Sequence, residues 1–294
     1  MKRFDGIYAA LVTPFDHNGK IHVDALQRLI DKLVGEGAAG FYVSGSTGES
    51  YLLSMEERKY LLDAASEAVG KRCDLIVNVG IIATEHGIEL AKHAERKDNV
   101  SAISAVPPFY FPFSKREILG YYHTLAHATS LPLIVYNIPA MSGIQFTFDD
   151  LSQLLSDDGI CGIKHTSYDL FQLQRIIQHF PEKNIFIGHD ELFLSALSIG
   201  AHAGIGSTFN IMADKFIRMQ RLFYEKKMEE ALTIQSQVNE VVAVLLRVGV
   251  FKGVKAILKM QGIDCGVCRA PFVPLSAEEE RMLGDVAEQN GLLG

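Results

Sequence analysis

Eight short, apolar, β-rich runs recur along the chain: Ile7–Val12, Phe41–Val43, Leu75–Val79, Ala102–Val106, Leu133–Tyr136, Gly162–Lys164, Ile185–Gly188 and Ala203–Gly206. Their spacing is close to the roughly 30 residues of one βα unit. Runs that are apolar throughout, rather than alternating with polar residues, suit strands buried on both faces of a parallel sheet. Amphipathic stretches fill the gaps. Leu26, Leu29, Ile30, Leu33 and Val34 trace one helical stripe, which Gly35 and Gly37 are expected to end. Ser54-x-x-Glu57 is a capping-box signature ahead of Leu61, Leu62, Ala65 and Ala68. The pattern predicts an α/β fold, a (β/α)8 TIM barrel over residues 1–225, with a C-terminal helical extension (226–294) packed on it. The extension's helices are expected at Met228–Leu246, Lys252–Gln261 and Ser276–Gln289. A doubly wound sheet would want a G-x-G-x-x-G after its first strand, and none is there.

With 294 residues, 48% of them hydrophobic, the chain can bury a large core. Its formal net charge of −7 argues against nucleic acid or an anionic membrane as a partner, because phosphate neutralisation needs clustered Lys and Arg. No apolar h-region follows Met1-Lys2-Arg3, and no run is long enough to span a bilayer. Four cysteines in a chain of this length fit a reducing compartment, hence a cytoplasmic location. Cys265-x-x-Cys268 stands without a second pair and reads better as surface or core thiols than as a zinc or redox motif.

In a barrel of this kind the chemistry sits at the C-terminal ends of the strands. The second strand runs into Ser44-Gly45-Ser46-Thr47-Gly48-Glu49, where backbone N–H groups and two hydroxyls suit a carboxylate or phosphate, or simply a tight turn. The fifth ends in Tyr136-Asn137-Ile138-Pro139, the sixth in Gly162-Ile163-Lys164-His165-Thr166. Lysine is rarely buried without a purpose. Desolvation disfavours an ammonium and frees the amine as a nucleophile; the bland alternative is an ion pair at the rim. The seventh ends in Gly188-His189-Asp190-Glu191, whose acids could bind sugar hydroxyls or a metal, or cap the next helix. The eighth ends in the small-residue loop Gly204–Asn210. Pro107–Pro112 is a rigid aromatic loop that could line a pocket or meet another subunit. His123-x-x-x-His127 lacks the glutamate of HExxH and reads as a helix face, not a metal site.

Taken together, Gly45–Glu49, Pro108-Phe109-Tyr110, Tyr136–Pro139 and Gly162-Ile163-Lys164-x-Thr166 resemble the dihydrodipicolinate synthase / N-acetylneuraminate lyase family, in family order and across essentially the whole chain. Tyr136–Gly143, Gly188-x-Asp190-Glu191, Gly206–Asn210, Gly249–Lys255 and Cys268–Phe272 are more similar to its lyase branch. The resemblance implies a cofactor-free, metal-free class I aldolase that cleaves a 2-keto sugar acid to pyruvate and an aldehyde. Lys164 would form the Schiff base, Tyr136 would shuttle the proton, and Tyr110 would support Tyr136 from a neighbouring subunit. Ser46 and Thr47 would hold the pyruvyl carboxylate. Thr166, Gly188, Asp190, Glu191, Gly206 and Ser207 would bind the polyol tail. The family is usually homotetrameric. Its synthases usually carry an arginine where this chain has Met141, which cannot grip a second carboxylate as Arg does. His189 and Phe209 stand where the lyases often have tyrosine, which leaves another 2-keto-3-deoxy acid as the alternative substrate.

Overall fold

A computed structural model of the chain describes residues 2–293. Eight strands pair in chain order: β1 (Gly6–Ala10), β2 (Gly40–Val43), β3 (Asp74–Asn78), β4 (Val100–Ala105), β5 (Leu133–Asn137), β6 (Ile160–His165), β7 (Asn184–Ile187) and β8 (Ala203–Gly206). All pairs are parallel, and β1 closes on β8 to complete the barrel. Helices α1 (Val23–Glu36), α2 (Met55–Val69), α3 (Thr84–Glu95), α4 (Lys115–Ala126), the single turn α5 (Pro139–Ser142), α6 (Phe148–Leu155), α7 (Leu170–His179) and α8 (Phe193–Ser198) return the chain between strands, and α9 (Phe209–Tyr224) follows β8. Three more follow: α10 (Met228–Val248), α11 (Val250–Met260) and α12 (Ala277–Gln289). The TIM barrel with C-terminal helices expected from the eight runs is what the chain forms. Among the described residues no helix is long and apolar enough to cross a membrane.

The local signals act largely as read. Ser54 and Glu57 exchange the reciprocal bonds of a capping box, Glu57 N–H to Ser54 Oγ at 3.1 Å and Ser54 N–H to Glu57 Oε2 at 2.8 Å. Gly35, expected to end α1, lies inside it. Gly37 is the terminator, at φ 97°, its N–H returning to Leu33 and Val34. A helix absorbs one internal glycine at modest cost, but only the residue past its end needs the left-handed conformation.

Each strand presents one face to the helices and one to the barrel axis. Outward residues such as Ile7, Phe41, Leu75, Ile103, Val135 and Ile185 join the helical stripes in one continuous core. Inward residues form a second, smaller core. At its base Phe4, Tyr8 and Phe186 pack with ring centroids 5.6–6.0 Å apart. This aromatic plug makes the interior a packed core and leaves only the upper mouth for chemistry. Asn184, fully buried, laces the base together. It accepts from Phe4 N–H at 2.9 Å and donates to the carbonyls of Lys2 and Cys161 at 3.0 and 3.3 Å. Replacing Asn184 with Leu keeps the volume but strands a buried donor and two acceptors. At about 1–3 kcal/mol for an unsatisfied buried group, Asn184→Leu should lower stability by about 3 kcal/mol. The urea midpoint should fall with an unchanged m-value.

Candidate active site

The strand register decides which side chains meet at the mouth. Tyr136 and Lys164 are direct partners across β5 and β6, so both point inward at the same level. Lys164, 4% exposed, places Nζ 3.9 Å from the Tyr136 ring centroid and 4.4 Å from that of Tyr42. The amine thus lies over two aromatic faces rather than against a rim carboxylate. Tyr42 is itself fixed, donating to Ser104 Oγ at 3.1 Å and meeting Tyr136 edge-on at 6.0 Å.

The β2 loop brings Ser46 and Thr47 to the same opening. Thr47 Oγ1 lies 2.7 Å from Ser207 Oγ, joining the loops after β2 and β8. The loop's form is set at both ends. Ser44 and Glu49 both adopt left-handed backbone, φ 57°. Asn78 Nδ2 donates to Ser44 O at 2.7 Å, while Glu49 N–H closes onto Ser46 O at 3.0 Å.

Across the mouth stand the acids. Asp190 is buried; its Oδ2 accepts from Thr208 N–H at 2.8 Å and from Thr208 Oγ1 at 2.7 Å. Burial pushes its carboxyl up to about 6, although both Thr208 bonds pull the other way. Asp190 therefore ties β7 to the β8 loop rather than capping its own short turn. Its Oδ1 has no partner, and a Cβ on Gly206 would stand only 2.0 Å from that oxygen. Thr166 Oγ1 is likewise buried and unpartnered, and a Cβ on Gly188 would meet it at 1.9 Å. Both glycines are thus required by close approach. Burial raises Glu191, but His189 Nδ1 at 3.0 Å and the Tyr168 hydroxyl, donating at 2.8 Å, hold it below the usual carboxylate range. Tyr168 also stacks on His189, centroids 4.3 Å apart.

Ser46, Thr47, Tyr136, Lys164, Thr166, Gly188, Asp190, Glu191 and Ser207 all line one cavity of about 320 Å³, with Met141 at its edge. Gly206 lies just behind Asp190. Tyr110 does not reach the cavity of its own chain. It is 84% exposed, at φ 85°, against Phe111. Its neighbour Phe109 instead packs edge-on to Tyr51 at 4.9 Å and lines an adjoining apolar hollow of about 230 Å³.

Several lining residues escaped the sequence reading. Tyr168 follows its strand end by a few residues and carried no motif, and Thr208, within the Gly204–Asn210 loop, was not singled out. Val242, Leu245 and Leu246 of α10 and Val250, Phe251 and Lys252 of α11 roof the cavity. The exposed Leu246, off the buried stripe of α10, is the signal that could have placed that helix over the mouth. His189, Asp190 and Glu191 do not converge as a metal site, since Asp190 turns to Thr208. The one group of three potential ligands drawn together among the described residues is His123, His127 and Asp157, on the outer wall and away from the cavity. Cys265 and Cys268 are buried free thiols, each pushed up to about 12 by burial.

The sequence profile described as "Dihydrodipicolinate synthetase family" matches residues 3–290. The chain belongs to that family. A curated family relative, the N-acetylneuraminate lyase of Rhizobium meliloti (strain 1021), is 44% identical over 271 residues, covering 92% of this chain and 90% of that one. Among solved structures, CdNal from Clostridium difficile, in complex with mannosamine, superposes with a TM-score of 0.94 at 34% identity, covering 97% of this chain and 99% of that one. The dihydrodipicolinate synthase DapA-2 of Bacillus anthracis also reaches 0.94, at 29% identity, covering 98% and 99%. Overall shape therefore does not separate the family's activities, and the side chains at the mouth must.

The raised Asp190 carboxyl has a stability signature. An acid held at about 6 in the fold, against 3.8 unfolded, contributes stability that is full below pH 4 and is lost as pH rises through 6. The stability of the native chain minus that of Asp190→Asn should therefore fall between pH 4 and pH 7. At ~1.4 kcal/mol per pH unit the fall should reach about 3 kcal/mol, as measured by urea denaturation across that range.

Proposed function

We propose that the chain is an N-acetylneuraminate lyase, cleaving N-acetylneuraminate to N-acetylmannosamine and pyruvate through a Schiff base on Lys164. One observation carries this reading. A buried amine lies 3.9 Å from the Tyr136 ring, in a cavity with paired hydroxyls on one side and carboxylates on the other. Each end suits one end of an open-chain keto sugar acid. The substrate carboxylate would dock on Ser46 and Thr47. The polyol would supply hydroxyls to Asp190 Oδ1 and Thr166 Oγ1, the two buried atoms that have no partner. Met141 lines the cavity where the family's synthases usually carry arginine, which favours a neutral sugar aldehyde over one bearing a second carboxylate. Similarity to lyases in sequence and structure supports the same reading.

In the reaction, Lys164 Nζ adds to the C2 carbonyl, and loss of water, to which Tyr136 gives its hydroxyl proton, leaves an iminium and a Tyr136 phenolate. The iminium draws electrons from the C3–C4 bond as Tyr136 accepts the proton of the C4 hydroxyl. That bond breaks, the aldehyde leaves, and the enamine is reprotonated at C3. Water then attacks the imine, releasing pyruvate and the free amine. Proton balance is kept by Tyr136, and no redox partner is involved.

The active form we propose is a cytoplasmic homotetramer, consistent with four free cysteines. The exposed Tyr110 loop would serve as a subunit contact, bringing Tyr110 to the neighbour's Tyr136. His189, stacked on Tyr168 beside Glu191, alters the polyol end. It makes a panel of 2-keto-3-deoxy acids the companion assay, since a preference for another member would replace the sugar and keep the chemistry.

Borohydride reduction in the presence of pyruvate, followed by peptide mapping, should place a reduced adduct on Lys164. Lys164→Ala should form none and lose lyase turnover. An unchanged rate in Lys164→Ala would overturn the mechanism. Tyr136→Phe should keep the adduct yet lose turnover by about 10²–10⁴-fold, the usual contribution of one positioned proton-transfer group.

A further inference from the structure

We infer that Glu49 and Lys255 together act as a positioning pair, through which the C-terminal extension holds the carboxylate-binding loop of β2 in shape; this rests on the keto-acid reading above. The two side chains are the most deeply buried ion pair of the described residues, 0% and 2% exposed, with Lys255 Nζ 2.7 Å from Glu49 Oε1. Charges are seldom buried to this extent, and such a pair persists only where its remaining hydrogen bonds are met. Here they are. Glu49 Oε2 accepts from the backbone N–H of Arg269 at 2.8 Å. Lys255 Nζ also donates to Val267 O at 3.2 Å and lies 4.4 Å over the Phe15 ring.

The pair acts on the site through the backbone. Glu49 is held in left-handed backbone, φ 57°, a conformation unfavourable for a residue with a long side chain. From there its N–H reaches Ser46 O at 3.0 Å, closing the turn that presents the Ser46 and Thr47 hydroxyls. Thr13 Oγ1 fixes the intervening Gly48 O at 2.6 Å. Release of the Glu49 carboxylate removes the constraint that keeps this residue left-handed, and the Ser46–Glu49 turn loses its shape. Nothing in the pair touches the amine, the proton-transfer tyrosine or the polyol end, so the consequence falls on one substrate group alone.

The test is steady-state kinetics in the condensation direction, where pyruvate and the aldehyde are varied separately. Glu49→Gln should raise the KM for pyruvate about tenfold while leaving that for N-acetylmannosamine within about twofold. The inhibition constant of pyruvate in the cleavage direction should rise by the same factor. Because one lone buried charge can prevent folding, the double variant Glu49→Gln/Lys255→Met, which leaves neither charge, is measured alongside and should show the same selective rise. Lower kcat or melting temperature with an unchanged pyruvate KM, in either folded variant, would make the pair merely structural and overturn the inference. Equal rises in both KM values would overturn it too. Borohydride trapping of pyruvate on native Lys164 keeps the two questions apart. If the native adduct forms and the variants bind pyruvate normally, only the positioning role fails. If no native adduct forms, the keto-acid reading fails, and this inference with it.

Discussion

The mouth of this barrel depends on sheet closure. Because β1 pairs with β8 as it does with β2, no strand has a free edge, and every inward side chain has a fixed height and direction. Tyr136 and Lys164 meet because β5 and β6 are in register there. Slipping β6 by one residue would turn Lys164 toward the helices and bring Ile163 inward, leaving Tyr136 without its partner. The aromatic plug of Phe4, Tyr8 and Phe186 completes the effect from below. It fills the lower interior with packed side chains, so the cavity at the amine opens toward the mouth.

Above that floor, polarity is arranged by what surrounds each group rather than by overall charge. The chain is acidic, yet its site sets a buried lysine amine near a carboxyl that burial pushes up to about 6. Asp190 and Glu191 are adjacent in sequence and opposite in circumstance. One is buried against Thr208 with an oxygen left free; the other is half-exposed and held ionised by His189 and Tyr168. Two neighbouring acids thus offer a polyol different partners, one suited to donating a proton in a hydrogen bond near pH 6 and below, the other only to accepting.

Much of this was legible in the sequence, for reasons of locality. Buried parallel strands must be apolar throughout, and a capping box must place its two residues three apart. Both rules act over a few residues, and both located their elements to within two positions. The grouping of strand-end residues around one opening was legible as well, because barrel topology alone brings strand ends together. What escaped was set by distant packing. Nothing in Asp190-Glu191 tells that the first turns to Thr208. The Gly249–Lys255 stretch carried part of the resemblance, but apart from a leucine off the buried stripe of α10 nothing local places α10 or α11 over the mouth. His123 and His127 share a carboxylate, Asp157, that belongs to the next βα unit. Gly35 was misjudged because a glycine's effect depends on whether its position needs positive φ, which composition does not reveal.

The contact between Glu49 and Lys255 spans 206 residues of chain. Contacts of such long range require the intervening chain to be ordered before they can form, and they set the slow end of folding. During synthesis the β2 loop emerges early, and the helix that fixes it only after all eight strands. If the pair positions the loop as proposed, a growing chain that still lacks α11 also lacks the contact that shapes its grip on an anionic carboxylate. Binding competence in this protein would then arrive as a late event of biogenesis, separate from the completion of the sheet.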